Sequence, residues 1–417
     1  MTRAPSLTLC VSEMLTFWAE NCRSRTIHIG MDETHDLGRG KYLDRFGWQR
    51  NFDIFNRHLI RVCQICRELG LEPLIWSDMY FRMGSASGSY YDPAAVIPAD
   101  ILSGIPEETT LVYWDYYHLN EDFYRQMIDA HRNFGRKVAV ASGLWTWARL
   151  SYDHNFTVER AEPCIRAGAG CQMDEFFFTM WGDDGAYCNF DTAFAGLLWG
   201  ADVAYGNDGK DQEKLEKMAR SCFNTSFSQA VRASEMNFSA PHRDNGVGTC
   251  SILLWDDPIM GVGWRQLNLD DEKTYSDFTA ALTASLEQDF YPMPLAVSRT
   301  LLAKLQLRKN LLTACRENNQ ALLKEITEKY IPETAGCLRQ LLEEFRTQWL
   351  KNYRFAGLEN IQIRLAGNLI RLEELDRRIT DTLNGNQNLF PELSVESDPR
   401  CQPIMEWYRD FAFSGVN

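Results

Sequence analysis

The chain of 417 residues carries 43 Lys and Arg against 57 Asp and Glu, a net charge of -14, with 45% hydrophobic residues. That is the composition of a globular protein with room for one large domain or two to three ordinary ones, and its acidity speaks against binding to nucleic acid or to an anionic membrane. The twelve cysteines are scattered from Cys10 to Cys401, without the dense framework of a small secreted scaffold, which fits free thiols in a reducing compartment.

No stretch approaches the roughly 18 uninterrupted apolar residues of a membrane span, and the first 20 residues lack a signal peptide's basic start and cleavage pattern. A cytoplasmic protein is therefore expected. In chain order, short β-rich runs then alternate with helical patterns: "RTIHIGM" (25–31), "LEPLIWSD" (71–78), "TTLVYWDYY" (109–117), "KVAVASGLW" (137–145) and "EFFFTMWG" (175–182). Between them lie amphipathic segments such as residues 49–70, stopped by Gly70, and 120–135, opened by Asn120 and closed by Gly135. Near-continuous apolar strands alternating with helices predict a parallel sheet covered by helices. Cys63 and Cys66 form a lone CxxC inside the first of these helices and read as buried helix residues.

After about residue 206 the strand signals thin out and long helical patterns take over, as in residues 335–355 and 360–384. The expected division is a barrel portion over 1–205 and a mainly α-helical C-terminal domain over 206–417. The segment "GVGTCSILLWDDPIMGVGW" (246–264) fits neither regime.

The first strand runs straight into two adjacent carboxylates, Asp32 and Glu33. Neighbouring residues of a regular strand point to opposite faces, so such a pair can serve one site only where the backbone leaves the pleat. The carboxyl ends of strands are also where parallel α/β folds build ligand sites. The plainer reading is that Asp32 caps a turn and Glu33 is solvated. Against it stand the later strand ends, each an aromatic residue followed by something polar: Trp76 then Asp78, Trp114 then Asp115 to Tyr117, Trp145 then Trp147, and Trp181 then Asp183. Indole faces among carboxylates suit a ligand with apolar C–H faces and hydroxyl edges, which describes a sugar ring. Nucleotide loops and HExxH are absent, and the seven histidines show no metal spacing. His28 reads as a core or supporting residue, and "GSASGSYY" (84–91) as a mobile loop that could act as a lid.

"IHIGMDE" resembles the strand-end signature of glycoside hydrolase family 20, the β-N-acetylhexosaminidases, which closes the fourth strand of a (β/α)8 TIM-type barrel. Trp76 resembles the family's fifth-strand tryptophan and Trp114 the sixth-strand one. "MWGDD" resembles its eighth-strand Trp-x-Glu, with Asp183 in place of the glutamate. The helical remainder resembles a bacterial branch of the family with a helical extension. The resemblance implies removal of terminal β-linked N-acetylglucosamine or N-acetylgalactosamine by a retaining route in which the substrate's acetamido oxygen is the nucleophile. Glu33 would be general acid and then base, helped to carry its proton by the neighbouring carboxylate and partial burial. Asp32 would orient the acetamido group and offset the developing positive charge. Trp76, Trp114, Trp145 and Trp181 would wall the pocket, and Asp183 would bind hydroxyls. No metal or other cofactor is implied.

The family's seventh-strand tyrosine has no counterpart in "ASGLWTWARL", and Tyr116 or Tyr117 would replace it. Strands one to three and the first-strand arginine have none either, so only strands 4 to 8 are visible and the chain is expected to be the C-terminal part of a longer protein or the product of a truncated gene model. The alternative function is a catalytically impaired carbohydrate-binding protein derived from that barrel. Helical faces such as "LIRLEEL" (369–375) could pack on the barrel or on a second subunit, and a homodimer is the assembly expected.

Overall fold

A computed structural model of the chain describes residues 4–183, 185–237, 249–259, 269–289, 291–385 and 390–394. The chain splits into two compact units. The first comprises Met1–Gly143, Val158–Thr179 and Gly200–Asp208, and the second Leu144–Thr157, Met180–Trp199 and Gly209–Asn417.

The five strand-like runs of the sequence become the five strands of one sheet in the first unit: β1 (Thr26–His28), β2 (Glu72–Trp76), β3 (Thr110–Trp114), β4 (Lys137–Gly143) and β5 (Phe176–Thr179). They lie side by side in sequence order, every neighbouring pair parallel. The connections carry the helices that the 3.6-residue periodicity predicts. Helix Asn51–Glu68 buries Phe52, Phe55, Leu59 and Cys63 along one stripe, and Gly70 leaves it with a φ of 66°. The Asn120 side chain accepts the Asp122 N–H and opens Glu121–Arg132, satisfying one of the amides a helix start leaves unpaired.

One sheet face packs on these helices. Ile75, Leu111, Tyr113 and Val140, each fully buried, join Phe55, Leu59, Tyr124 and Ile128 in one cluster. Each such side chain contributes about 1.5–3 kcal/mol by burial, which is why the strands read as continuous apolar runs. On the other face, the Trp76 ring sits 4.2 Å from His28 of β1 and 6.1 Å from Phe177 of β5. In a flat sheet, β2 and β5 would stand about 14 Å apart, three strand spacings. The sheet is therefore curled into part of a TIM-like barrel, closing the Trp76 face inward.

The second unit is helical. Pro292–Glu317, Ile331–Asn352 and Leu358–Leu383 share a core that includes Leu301, Leu311, Leu338, Phe345, Leu365 and Leu375. Within it lies Lys304, fully buried. Its ammonium donates to the carbonyls of Leu254 and Asp256 and to Asn368 Oδ1 at 2.7–3.0 Å, while burial lowers its pKa to about 8. Of the segment 246–264, residues Thr249–Trp255 form a helix, while 246–248 and 260–264 lie outside the described residues. The eleven cysteines among the described residues are free thiols, and Cys63 and Cys66 are both fully buried. Among the described residues no helix is long and apolar enough to cross a membrane.

Candidate functional site

The backbone does leave the pleat where β1 meets the carboxylates. Gly30, Met31 and Glu33 have φ of 74°, 79° and 47°, three left-handed conformations within four residues. Two of them fall on residues with side chains, a conformation that costs energy and persists only where the surroundings hold it. Here they do. The Trp76 N–H donates to the Gly30 carbonyl at 3.0 Å, and the Gly30 N–H to His28 Nδ1 at 3.1 Å. The Glu33 N–H donates to Asp78 Oδ2 at 3.0 Å. With Nδ1 accepting, the His28 proton resides on Nε2, which is buried with no hydrogen-bond partner among the described residues.

Asp78 joins the strand ends. It is fully buried just past β2, and its second oxygen accepts the Trp114 indole N–H at 3.2 Å. Burial, with the Asp32 charge adding to it, raises its pKa to about 6, even though the Glu33 and Trp114 donors work the other way. Behind it, Ser77 Oγ bonds His131 Nε2 at 2.8 Å and the Val112 carbonyl at 2.8 Å. Burial lowers the His131 pKa to about 4, so this ring is neutral at working pH. Trp114 lies 5.2 Å from the Tyr116 ring, and Thr179 Oγ1 donates to the Tyr116 hydroxyl at 3.0 Å. Tyr116 is buried, whereas Tyr117 is exposed.

The loop after β2 supplies a further contact. Tyr90 Oη donates to Glu33 Oε1 at 3.1 Å and sits 3.0 Å from His35 Nε2. Glu33 is exposed, so the partial burial expected to help it keep a proton is absent; its position is set by backbone geometry and by Tyr90. The loop itself is pinned, with Ser85 Oγ donating to Asp92 Oδ2 at 2.7 Å and Tyr91 buried. Asp115 is spent locally, accepting from Tyr113 Oη, from the Tyr117 and His118 amides, and pairing His118 Nδ1 at 2.7 Å.

The first unit thus holds Asp32, Glu33, Trp76, Trp114 and Tyr116 at the ends of β1 to β3, with Asp78 joining Glu33 to Trp114. The second unit holds the other three expected residues. Trp145 is 1% exposed, stacked on Trp147 at 3.9 Å and set edge-on to Phe156 at 4.2 Å. Trp181 is half-buried, its carbonyl accepting from Thr146 Oγ1 at 2.8 Å, and Asp183 is exposed, its carbonyl accepting the Ala148 N–H at 3.1 Å. Among the described residues no group of three or more His, Cys, Asp or Glu side chains could hold a metal.

Residues 225–405 match the family model described as the Glycoside Hydrolase 20C C-terminal domain. The match relates this chain to glycoside hydrolase family 20. The matched span covers most of the helical region rather than the strands that carry the carboxylates. Among solved structures, a GH138 enzyme targeting pectin rhamnogalacturonan II aligns over 91% of this chain and 79% of its own, at 9% identity and a TM-score of 0.37, too distant to argue from. No curated protein matches the sequence.

Two residues of this candidate site were given no role in it by the sequence reading. Asp78 was visible as the acid two residues beyond Trp76, but nothing local says that it reaches Glu33. Tyr90 lay inside the polar loop 84–91. Asp78 gives a stability test. Its folded pKa of about 6 lies above the ordinary aspartate value of 3.8, so its contribution is fully present below the lower value and is lost as pH rises through the upper one. The difference in urea-unfolding free energy between the native chain and Asp78→Asn is expected to shift against the native chain by up to roughly 3 kcal/mol between pH 4 and 7. His131 acts in the opposite direction but is common to both proteins and cancels. A difference that stays flat with pH rules the assignment out.

Proposed function

We propose that this protein is an exo-acting β-N-acetylhexosaminidase, releasing terminal β-linked N-acetylglucosamine or N-acetylgalactosamine through a retaining, substrate-assisted reaction. The observation that carries the reading is the Asp32–Glu33 pair at the end of β1, where Glu33 takes a left-handed backbone and its N–H donates to Asp78 from the end of β2. The domain match over residues 225–405 supports it independently.

In this reading β1 to β5 correspond to strands 4 to 8 of a (β/α)8 barrel, with residues 1–205 the barrel portion and 206–417 the helical domain. The acetamido oxygen attacks the anomeric carbon as the glycosidic bond breaks, and Glu33 passes its proton to the departing oxygen. Asp32 accepts the acetamido N–H and balances the oxazolinium charge. Water then opens the oxazolinium ring while Glu33 takes up the water's proton. Trp76, Trp114, Trp145 and Trp181 serve as walls, Tyr116 as the donor to the acetamido carbonyl, and Asp183 as a hydroxyl ligand. The free cysteines fit a cytoplasmic setting.

The test is release of nitrophenol from the β-N-acetylglucosaminide and the β-N-acetylgalactosaminide, by this chain and by one extended upstream where the gene allows. Turnover that requires Glu33 supports the hydrolase. Sugar binding with no turnover in either chain replaces it with the carbohydrate-binding reading.

A further inference from the structure

We propose that Tyr90, backed by His35, stabilises the Glu33 carboxylate as it forms, making the loop 84–91 a working part of the acid catalyst. The proposal rests on the hydrolase reading above.

The phenol lies between a carboxyl group and an imidazole. Tyr90 Oη is 3.1 Å from Glu33 Oε1 and 3.0 Å from His35 Nε2. A phenol has one proton and can accept as well. With that proton directed at Glu33, the Tyr90 oxygen is left to accept from His35 Nε2–H, and the three groups form one directed chain, imidazole to phenol to carboxylate.

The groups around the phenol hold it in the donor role. Its ring packs 5.6 Å from the Trp114 ring, with the Arg82 guanidinium 4.9 Å from its centroid. Burial first and then the Glu33 carboxylate push the phenol well above its ordinary range, with Asp78 adding to the rise and Arg82 opposing it. The hydroxyl therefore keeps its proton throughout the pH range in which Glu33 works.

The contact strengthens as the reaction proceeds. Before bond cleavage Glu33 is a neutral acid, and Tyr90 donates to its carbonyl oxygen. As the anomeric C–O bond breaks, its electron pair leaves with the aglycone oxygen. The proton from Glu33's other oxygen moves to that atom, and the acetamido oxygen forms the new bond to carbon. Glu33 is then a full carboxylate, and the Tyr90 bond becomes charge-assisted, about twice as strong as a neutral one. An interaction stronger in the transition state than in the ground state accelerates the step, whereas one of equal strength does not. No redox partner is involved, and the proton Glu33 gives up is restored from the attacking water.

Tyr90→Phe keeps the ring on Trp114 and under Arg82, and removes only the hydroxyl. The experiment compares native, Tyr90→Phe and His35→Gln chains on a nitrophenyl and a methyl β-N-acetylglucosaminide, recording kcat/KM against pH together with Tm. A nitrophenolate departs with little help, whereas methoxide needs a full proton. Tyr90→Phe is expected to lower kcat/KM on the methyl glycoside by roughly 10- to 100-fold and on the nitrophenyl glycoside by far less. Its alkaline limb is expected to move to higher pH, because a carboxylate without its donor forms less readily. His35→Gln is expected to show a smaller effect in the same direction. Equal losses on both substrates, with the limb in place and a lowered Tm, would mean that the hydroxyl is merely structural and overturn the proposal, as would unchanged rates. A native chain inactive on both substrates overturns the hydrolase reading itself, a result distinct from either.

Discussion

Glu33→Gln is expected to lower kcat for hydrolysis of the methyl β-N-acetylglucosaminide by roughly 10²- to 10⁴-fold while leaving the fold intact. The amide keeps the shape of the side chain and can still accept from Tyr90 Oη, but it has no proton to give. The side chain is exposed, so the change introduces no unpaired group into a core. The backbone that positions residue 33 is held by its own N–H on Asp78, which the substitution does not touch. KM is expected to change little, since the lost interaction belongs to the transition state. Addition of azide to the Gln variant does not replace an acid; stronger leaving groups should instead recover part of the lost rate. Turnover within threefold of the native chain would remove Glu33 from the mechanism.

Trp145→Ala carries the largest expected effect on stability, a loss of about 3–5 kcal/mol in unfolding free energy followed by circular dichroism in urea. The ring is 1% exposed, stacked on Trp147 and met edge-on by Phe156, while the backbone N–H of residue 145 donates to Thr157 Oγ1 at 2.9 Å. Truncation leaves a cavity beside Trp147 and Phe156, the latter also held under the Arg149 guanidinium, and a close-packed interior relaxes only partly to fill it. Trp145→Phe, which fills most of that volume, separates packing from sugar contact. A raised KM in a stable Phe variant supports Trp145 as a pocket wall, while an unchanged KM confines it to packing. A loss below about 1 kcal/mol for the Ala variant would show that the ring is not part of a close-packed core.

The elements were legible because their signals are local. The apolar runs predicted over 71–78, 109–117 and 137–145 became β2, β3 and β4, since a strand covered on both faces has no polar side to display. Asn120 and Gly135 marked the ends of a helix by capping chemistry within a few residues of themselves. Even the break after β1 was legible in principle, because consecutive carboxylates cannot share one face of a pleat. The burial of Glu33 was misjudged. Exposure depends on what the fold places beside a residue, and for Glu33 the neighbour is a phenol at its edge rather than a cover over its carboxyl.

By itself the amino-acid order determined five strands alternating with helices, a helical second half, aromatic residues at the strand ends and a carboxylate pair where β1 ends. These are properties of periodicity and of short-range backbone chemistry, carried by residues within one element. Only the tertiary structure decided the partnerships: Asp78 reaching Glu33 across 45 residues, Tyr90 across 57, and Trp76 meeting Phe177 from a strand three places away. Such contacts depend on sheet curvature and on the angle at which each strand end leaves the pleat. Those follow from the packing of all the elements together, and no local stretch of sequence encodes them.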